Sequence, residues 1–228
     1  LQKICLKSRK ANRKIRALSL RKGETLPEMF IGVDSKNFEI NALLHKNVLV
    51  SGNSNSGKTL LLTRLAEAYI EEGVPLILLD TVYEHKGKSL IAHFEQYNKI
   101  SAEFDEDSVD YAKIGEVLKS DKPVVAINLS KSLEVSNAEG IEESIRKAIR
   151  ANHINKCGSI IKSIVDQACA NRLVIISDEV DYPKAVLDFL LGNKSLNLVM
   201  VPNELKYADA NFDIVIVAER PHVKVNNL

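Results

Sequence analysis

The chain has 228 residues, 45% hydrophobic and 27% charged, with a formal net charge of +1. That is the composition of a soluble domain, at a length suited to one α/β domain with a sizeable core. No apolar run approaches the ~20 residues that cross a bilayer and no secretory signal pattern is visible. The cysteines Cys5, Cys157 and Cys169 are scattered, which argues against a disulfide framework and for a reducing compartment, the cytoplasm.

The balanced net charge hides an asymmetry at the start of the chain. Residues 1–22 hold nine basic side chains (Lys3, Lys7, Arg9, Lys10, Arg13, Lys14, Arg16, Arg21, Lys22) and no acidic one. The rest of the chain carries 22 basic against 30 acidic residues. A basic arm on an acidic body points to an anionic partner such as nucleic acid. The interspersed Ile4, Leu6, Ile15, Leu18 and Leu20 equally suit a strand or helix packed on the body. Gly23 to Pro27 reads as a linker, so the chain divides into a basic arm, residues 1–26, and a domain, residues 27–228.

In the domain, Met29 to Val33 and Phe38-Glu39-Ile40 read as a hairpin around the turn-rich Asp34 to Asn37. The buried strand Val48-Leu49-Val50 then runs into Gly52-Asn53-Ser54-Asn55-Ser56-Gly57-Lys58-Thr59. Leu60 opens the next segment, where Leu61, Leu62, Leu65, Ala66, Tyr69 and Ile70 recur at helical spacing. Strand, Gly-x-x-x-x-Gly-Lys-Thr loop and helix form the P-loop pattern. Gly52 and Gly57 let backbone N–H groups turn inward toward phosphates, and the helix N-terminus adds partial positive charge. Lys58 suits the β- and γ-phosphates of ATP, and the Thr59 hydroxyl suits Mg²⁺.

A second buried strand, Pro75 to Asp80, delivers a carboxylate at its end, with Glu84 and His85 in the following loop. Ligands gather at the carboxyl ends of parallel strands, so Asp80 is either a site residue or a helix cap or turn former. Ser89 to Phe94 and Tyr111 to Leu118 read as helices, and the acidic stretch Glu103 to Asp110 as exposed. Pro123 to Leu129 is a third buried strand, followed by polar Ser130 to Ser132. Ile141, Ile145, Ala148 and Ile149 mark one helix face, and Ile160, Ile161, Ile164, Val165 and Ala168 another, with a break expected at Asn155 to Gly158.

The strand Leu173 to Asp178 ends in Asp178-Glu179, the Walker B pattern. Its first carboxylate suits Mg²⁺ and its second the polarisation of an attacking water. Adjacent residues at a strand end point oppositely, which suits two roles. Pro183 begins a helix that Gly192 ends, and Leu196 to Val201 is a strand with Asn203 just beyond it, a polar residue placed to sense the γ-phosphate. Phe212 to Val217 is the last strand, followed by Glu219, Arg220 and Pro221. Strands alternating with helices predict an α/β fold with a mainly parallel sheet covered on both faces.

From Ile31 to Arg220 this run of motifs resembles the HerA/FtsK family of P-loop ATPases. The likeness lies in the lead-in IGVDSKNFEINALLHKNVLVSG, the P-loop, LILLDTVYEH, VVAINLS, the Asp178-Glu179 strand and the polar Asn203 position. The resemblance implies a RecA-like additional-strand ATPase core that uses ATP and Mg²⁺, forms a ring hexamer and moves double-stranded DNA. It implies roles for Lys58, Thr59, Asp178, Glu179 and, as sensor, Asn203, where the family usually has Gln. A ring also requires an arginine acting on the neighbour's site; Arg146, Arg150, Arg172 and Arg220 are candidates, with Arg220 favoured by its place after the last strand. The short form is similar to versions from archaea, their viruses and plasmids. A nucleotide switch that binds DNA without motor activity, and a small-molecule kinase, are the alternative functions; Glu179 speaks against the kinase, which must exclude water.

Overall fold

In the computed structural model of the chain the described residues are 14–18, 29–31, 43–53, 56–81, 89–121, 123–168, 172–203, 207 and 210–219. The strands are β1 (Lys14–Leu18), β2 (Met29–Ile31), β3 (Val48–Gly52), β4 (Leu76–Asp80), β5 (Ala102–Asp105), β6 (Val124–Asn128), β7 (Leu173–Asp178), β8 (Leu196–Val201) and β9 (Ile214–Glu219). The helices are α1 (Lys58–Glu71), α2 (Leu90–Gln96), α3 (Tyr111–Val117), α4 (Lys131–Asn137), α5 (Glu143–Gln167) and α6 (Lys184–Gly192).

All nine strands among the described residues form one sheet in the order β2-β1-β9-β3-β8-β7-β4-β6-β5. From β9 to β5 every neighbouring pair is parallel, whereas β1 runs antiparallel to both β9 and β2. The buried strands β4 and β7 read as continuous apolar runs because helices cover both sheet faces. On one face Leu61, Leu62, Leu65 and Tyr69 of α1 and Phe94 of α2 pack on Val50, Leu78, Ile176 and Val199. On the other, α3, α5 and α6 bring Ile114, Ile161, Ile164, Leu187 and Leu190 onto Leu79, Ile127, Ile175 and Leu198. This is the expected α/β architecture of a mainly parallel sheet covered on both faces, with β8 between β3, which leads into the glycine loop, and β7, which ends in Asp178.

The structure departs from the sequence reading of several elements. The acidic stretch contains an edge strand, β5, whose residues alternate between half-buried Ala102 and Phe104 and exposed Glu103 and Asp105; charge on an edge strand is compatible with pairing on one side only. Asn155 to Gly158 does not break a helix, because α5 runs unbroken through it. Gly158 is there for space: a Cβ would lie 2.9 Å from Pro183 Cδ and 3.1 Å from Val186 Cγ2, so the glycine lets α5 approach the start of α6. The face expected from Ile141, Ile145, Ala148 and Ile149 is not core, since Ile145 and Ala148 are exposed. Residues 14–18 of the basic segment form β1 in the sheet; Gly23 to Pro27 and Phe38 to Ile40 lie outside the described residues. Among the described residues no helix is long and apolar enough to cross a membrane.

Candidate functional site

The parallel strands from β9 to β5 all end at one edge of the sheet, and that edge carries the motif residues. Hydrogen-bonded registers pair Asp178 with Asp80 on one side and with Val201 on the other. Asp80 is paired in turn with Asn128, and Gly52 with Ala218. Asp80, Asp178 and Val201 therefore form one row at the sheet spacing of about 4.8 Å per strand, while the β3–β8 register, with Leu49 opposite Met200, carries Gly52 beyond that row.

The P-loop backbone explains its glycines. Gly52 has φ 138° and Gly57 φ 96°, both in the region that side chains disfavour. Gly52 meets a second restriction, because a Cβ there would lie 2.1 Å from the Ala218 carbonyl oxygen of β9. The loop's first glycine thus serves the sheet as well as the turn. Gly57 stands as N-cap of α1 without a side-chain hydrogen bond, and the first turn has no acidic residue. Among the described residues no side chain accepts from the first N–H groups of α1, an arrangement that accommodates an anion. Lys58 Nζ donates to the carbonyls of Gly52 and Asn53, each at 3.0 Å, so its ammonium folds back over the loop. Ser56 is buried and Leu60 exposed; Ser54 and Asn55 lie outside the described residues.

The two motifs meet directly. Thr59 Oγ1 donates to Asp178 Oδ2 at 2.7 Å. Asp178 is buried, and burial pushes its carboxyl up to about 7, with the negative charges of Asp80 and Glu179 adding to the effect and the Thr59 hydroxyl and Lys58 opposing it. Such a carboxylate is better accommodated with a cation beside it. A hydroxyl and a carboxylate of this kind fit Mg²⁺, which takes few protein ligands and completes its shell with phosphate and water oxygens. The glycine loop, Lys58 and the uncapped start of α1 likewise fit a nucleotide triphosphate.

Glu179 departs from the expected strand geometry. It lies beyond β7 with φ 57°, a left-handed conformation, so its direction is set by a turn and not by the strand pleat. Thr81 Oγ1, from the end of β4, donates to the Glu179 carbonyl at 3.0 Å and holds that turn. Thr81 carries no motif signal, and only the pairing of β4 with β7 reveals it.

Asp80 acts as a cap while standing beside Asp178: its Oδ2 accepts from the Ile91 N–H at the start of α2, at 3.3 Å, beside Ser89, which caps Ala92. Asn203 is exposed just past the end of β8, between the ends of β3 and β7. Among the arginines, Arg146 stands 4.0 Å from Glu143 and Arg150 donates to Asn137, both on the α4–α5 pair. Arg172 precedes β7 and so lies at the edge opposite Asp178. Arg220, Glu84 and His85 lie outside the described residues.

No protein-family model matches the chain, and no curated protein matches it. Among solved structures, the chain is similar to the genome packaging NTPase B204 from Sulfolobus turreted icosahedral virus 2, solved in complex with ATP-gammaS, with 13% sequence identity and a TM-score of 0.37. The match covers 70% of this chain and 64% of that one, so it spans just under two thirds of that protein's length.

Proposed function

We propose that this chain is a Mg²⁺-dependent ATPase of the HerA/FtsK type, working as a ring-forming homo-oligomer that translocates or packages double-stranded DNA. The observation that carries the ATPase reading is the 2.7 Å contact between Thr59 and Asp178 at a sheet edge where β8 separates their strands. The P-loop from Gly52 to Leu60 would hold the phosphates of ATP, and Thr59 and Asp178 would hold Mg²⁺. When bound, the metal ion supplies charge neutralisation for phosphoryl transfer. Lys58 offers an ammonium that can exchange the carbonyls of Gly52 and Asn53 for phosphate oxygens. Glu179 orients and polarises the attacking water, Asn203 reads the γ-phosphate, and Arg220 of a neighbouring copy completes the site. The motor assignment is supported by the motif order from Ile31 to Arg220, and the DNA assignment by the nine basic residues of segment 1–22.

The test is the ATPase rate with and without double-stranded DNA, beside a mass measurement with nucleotide bound. Stimulation by DNA in a hexameric particle is the expected result. Hydrolysis unaffected by DNA in a monomer would replace the motor with a nucleotide switch. A Glu179→Gln variant that hydrolyses ATP at the wild-type rate would overturn the catalytic assignment.

A further inference from the structure

The backbone that follows Glu179 is held by a side chain from another part of the chain. The Tyr207 hydroxyl accepts a hydrogen bond from the Tyr182 N–H at 2.9 Å and donates one to the Tyr182 carbonyl at 3.1 Å. One phenol thus satisfies both polar backbone groups of a residue that is 3% exposed and has no ladder partner. Val180, Asp181 and Tyr182 are all buried, so the turn after β7 is sealed into the body directly behind Glu179.

Tyr207 belongs to the connection between β8 and β9, the same connection that bears Asn203. Its own backbone is anchored: the Ala210 N–H donates to the Tyr207 carbonyl at 3.0 Å, and the Phe212 N–H to the Ala210 carbonyl at 2.9 Å. Tyr207 and Ala210 pack against the core that includes buried Phe212. On the other side, Thr81 from β4 grips the Glu179 carbonyl. A glutamate in the left-handed region persists where its surroundings impose it, and here both flanks do so.

We propose that Tyr207 is a positioning residue for hydrolysis, tying the connection that bears Asn203 to the turn that bears Glu179. The inference rests on the ATPase reading above. Removing the hydroxyl leaves the buried N–H and carbonyl of Tyr182 without their partner, and the turn gains freedom to move. A displacement of a reacting group by about 1 Å costs on the order of a hundredfold in rate. Nucleotide binding, which is assigned to the P-loop, does not pass through this contact.

The test is Tyr207→Phe, which keeps the ring and its packing, measured beside wild type, Glu179→Gln and the double variant. The expected result is a kcat lowered by roughly tenfold or more, with KM and affinity for a non-hydrolysable ATP analogue unchanged, and a double variant no slower than Glu179→Gln alone. A wild-type kcat in Tyr207→Phe, with Glu179→Gln inactive, overturns this assignment alone. Loss of analogue affinity in step with kcat makes Tyr207 general structural support and also overturns it. A wild-type chain without ATPase activity, or an active Glu179→Gln, overturns the ATPase reading and this assignment with it.

Discussion

Thr59 and Asp178 stand 119 residues apart in the chain and 2.7 Å apart in space, joined by a hydrogen bond from hydroxyl to carboxylate. The strand β3, which leads into the loop before Thr59, does not touch β7, which ends in Asp178, since β8 lies between them. The contact spans that strand because Thr59 reaches over it from the start of α1.

If this pair holds Mg²⁺, its members act as one unit. Thr59→Ala and Asp178→Asn should each lower affinity for an ATP analogue in the presence of Mg²⁺ and leave metal-free binding near wild type. The double variant should be little worse than either single one, because residues sharing one partner are not additive. Calorimetric titrations with and without Mg²⁺ check this.

Lys58→Ala should abolish hydrolysis and weaken triphosphate binding by roughly ten- to a hundredfold, the range for a charge-assisted hydrogen bond. Diphosphate binding should suffer less. Equal losses for ATP and ADP would place Lys58 away from the γ-phosphate.

Two glycines predict different outcomes. Gly158→Ala sets a Cβ 2.9 Å from Pro183 Cδ and should lower stability by about 1–3 kcal/mol, with ATPase activity per folded molecule retained. Gly52→Ala meets backbone at 2.1 Å and an unfavourable φ of 138°, so folding and nucleotide binding should fail together. Thermal melts and ATPase assays on the same preparations separate them.

His153 sets a pH dependence. It is buried in α5, with Nδ1 3.3 Å from Ser132 Oγ and 3.7 Å from Glu106 Oε2, and Nε2 3.4 Å from Cys157 Sγ; Lys156 also faces Glu106. Burial lowers its pKa, against the attraction of the Glu106 carboxylate. An unfolded histidine takes its proton near pH 6.5, above the folded value. The contribution of neutral His153 to stability is therefore complete above about pH 6.5 and declines as pH falls from there through the folded pKa. Denaturant unfolding at pH 7.5 and 5.5 should show this loss in wild type and less of it in His153→Gln.

Deleting residues 1–22 removes β1, the antiparallel partner of β9. The truncated chain should melt at a lower temperature as well as bind DNA more weakly and with a shallower salt dependence. Replacing Lys3, Lys7, Arg9 and Lys10 with Gln leaves β1 in place, so it should weaken DNA binding without lowering the melting temperature. Unchanged DNA affinity in both variants would remove the basic segment as a DNA contact.

The parallel sheet was legible because strands buried on both faces read as unbroken apolar runs, as in Leu76 to Leu79 and Leu173 to Ile176. The contact between Thr59 and Asp178 was legible because the two motifs that hold them have fixed residue types at fixed spacing. The edge strand β5 was hidden because its outward residues, Glu103 and Asp105, carry charge. Gly158 reads as a breaker until its tertiary neighbour Pro183 is known. Thr81 and Tyr207 act through hydroxyls on distant backbone, and nothing local distinguishes them from surface polar residues.

The place of β8 also governs when this molecule can become whole. The strands β7, β4, β6 and β5 pair among themselves, but among the described strands only β8 joins them to β3. The other neighbour of β3 is β9, later still in sequence. A nascent chain that has released everything up to α6 therefore still holds its glycine loop on a strand with no neighbour in the sheet. Closure waits for Leu196–Val201 to leave the ribosome and insert between two strands made long before. Until then α1, which carries Thr59, has β4 and β7 to pack on, but β3 has no neighbour in the sheet.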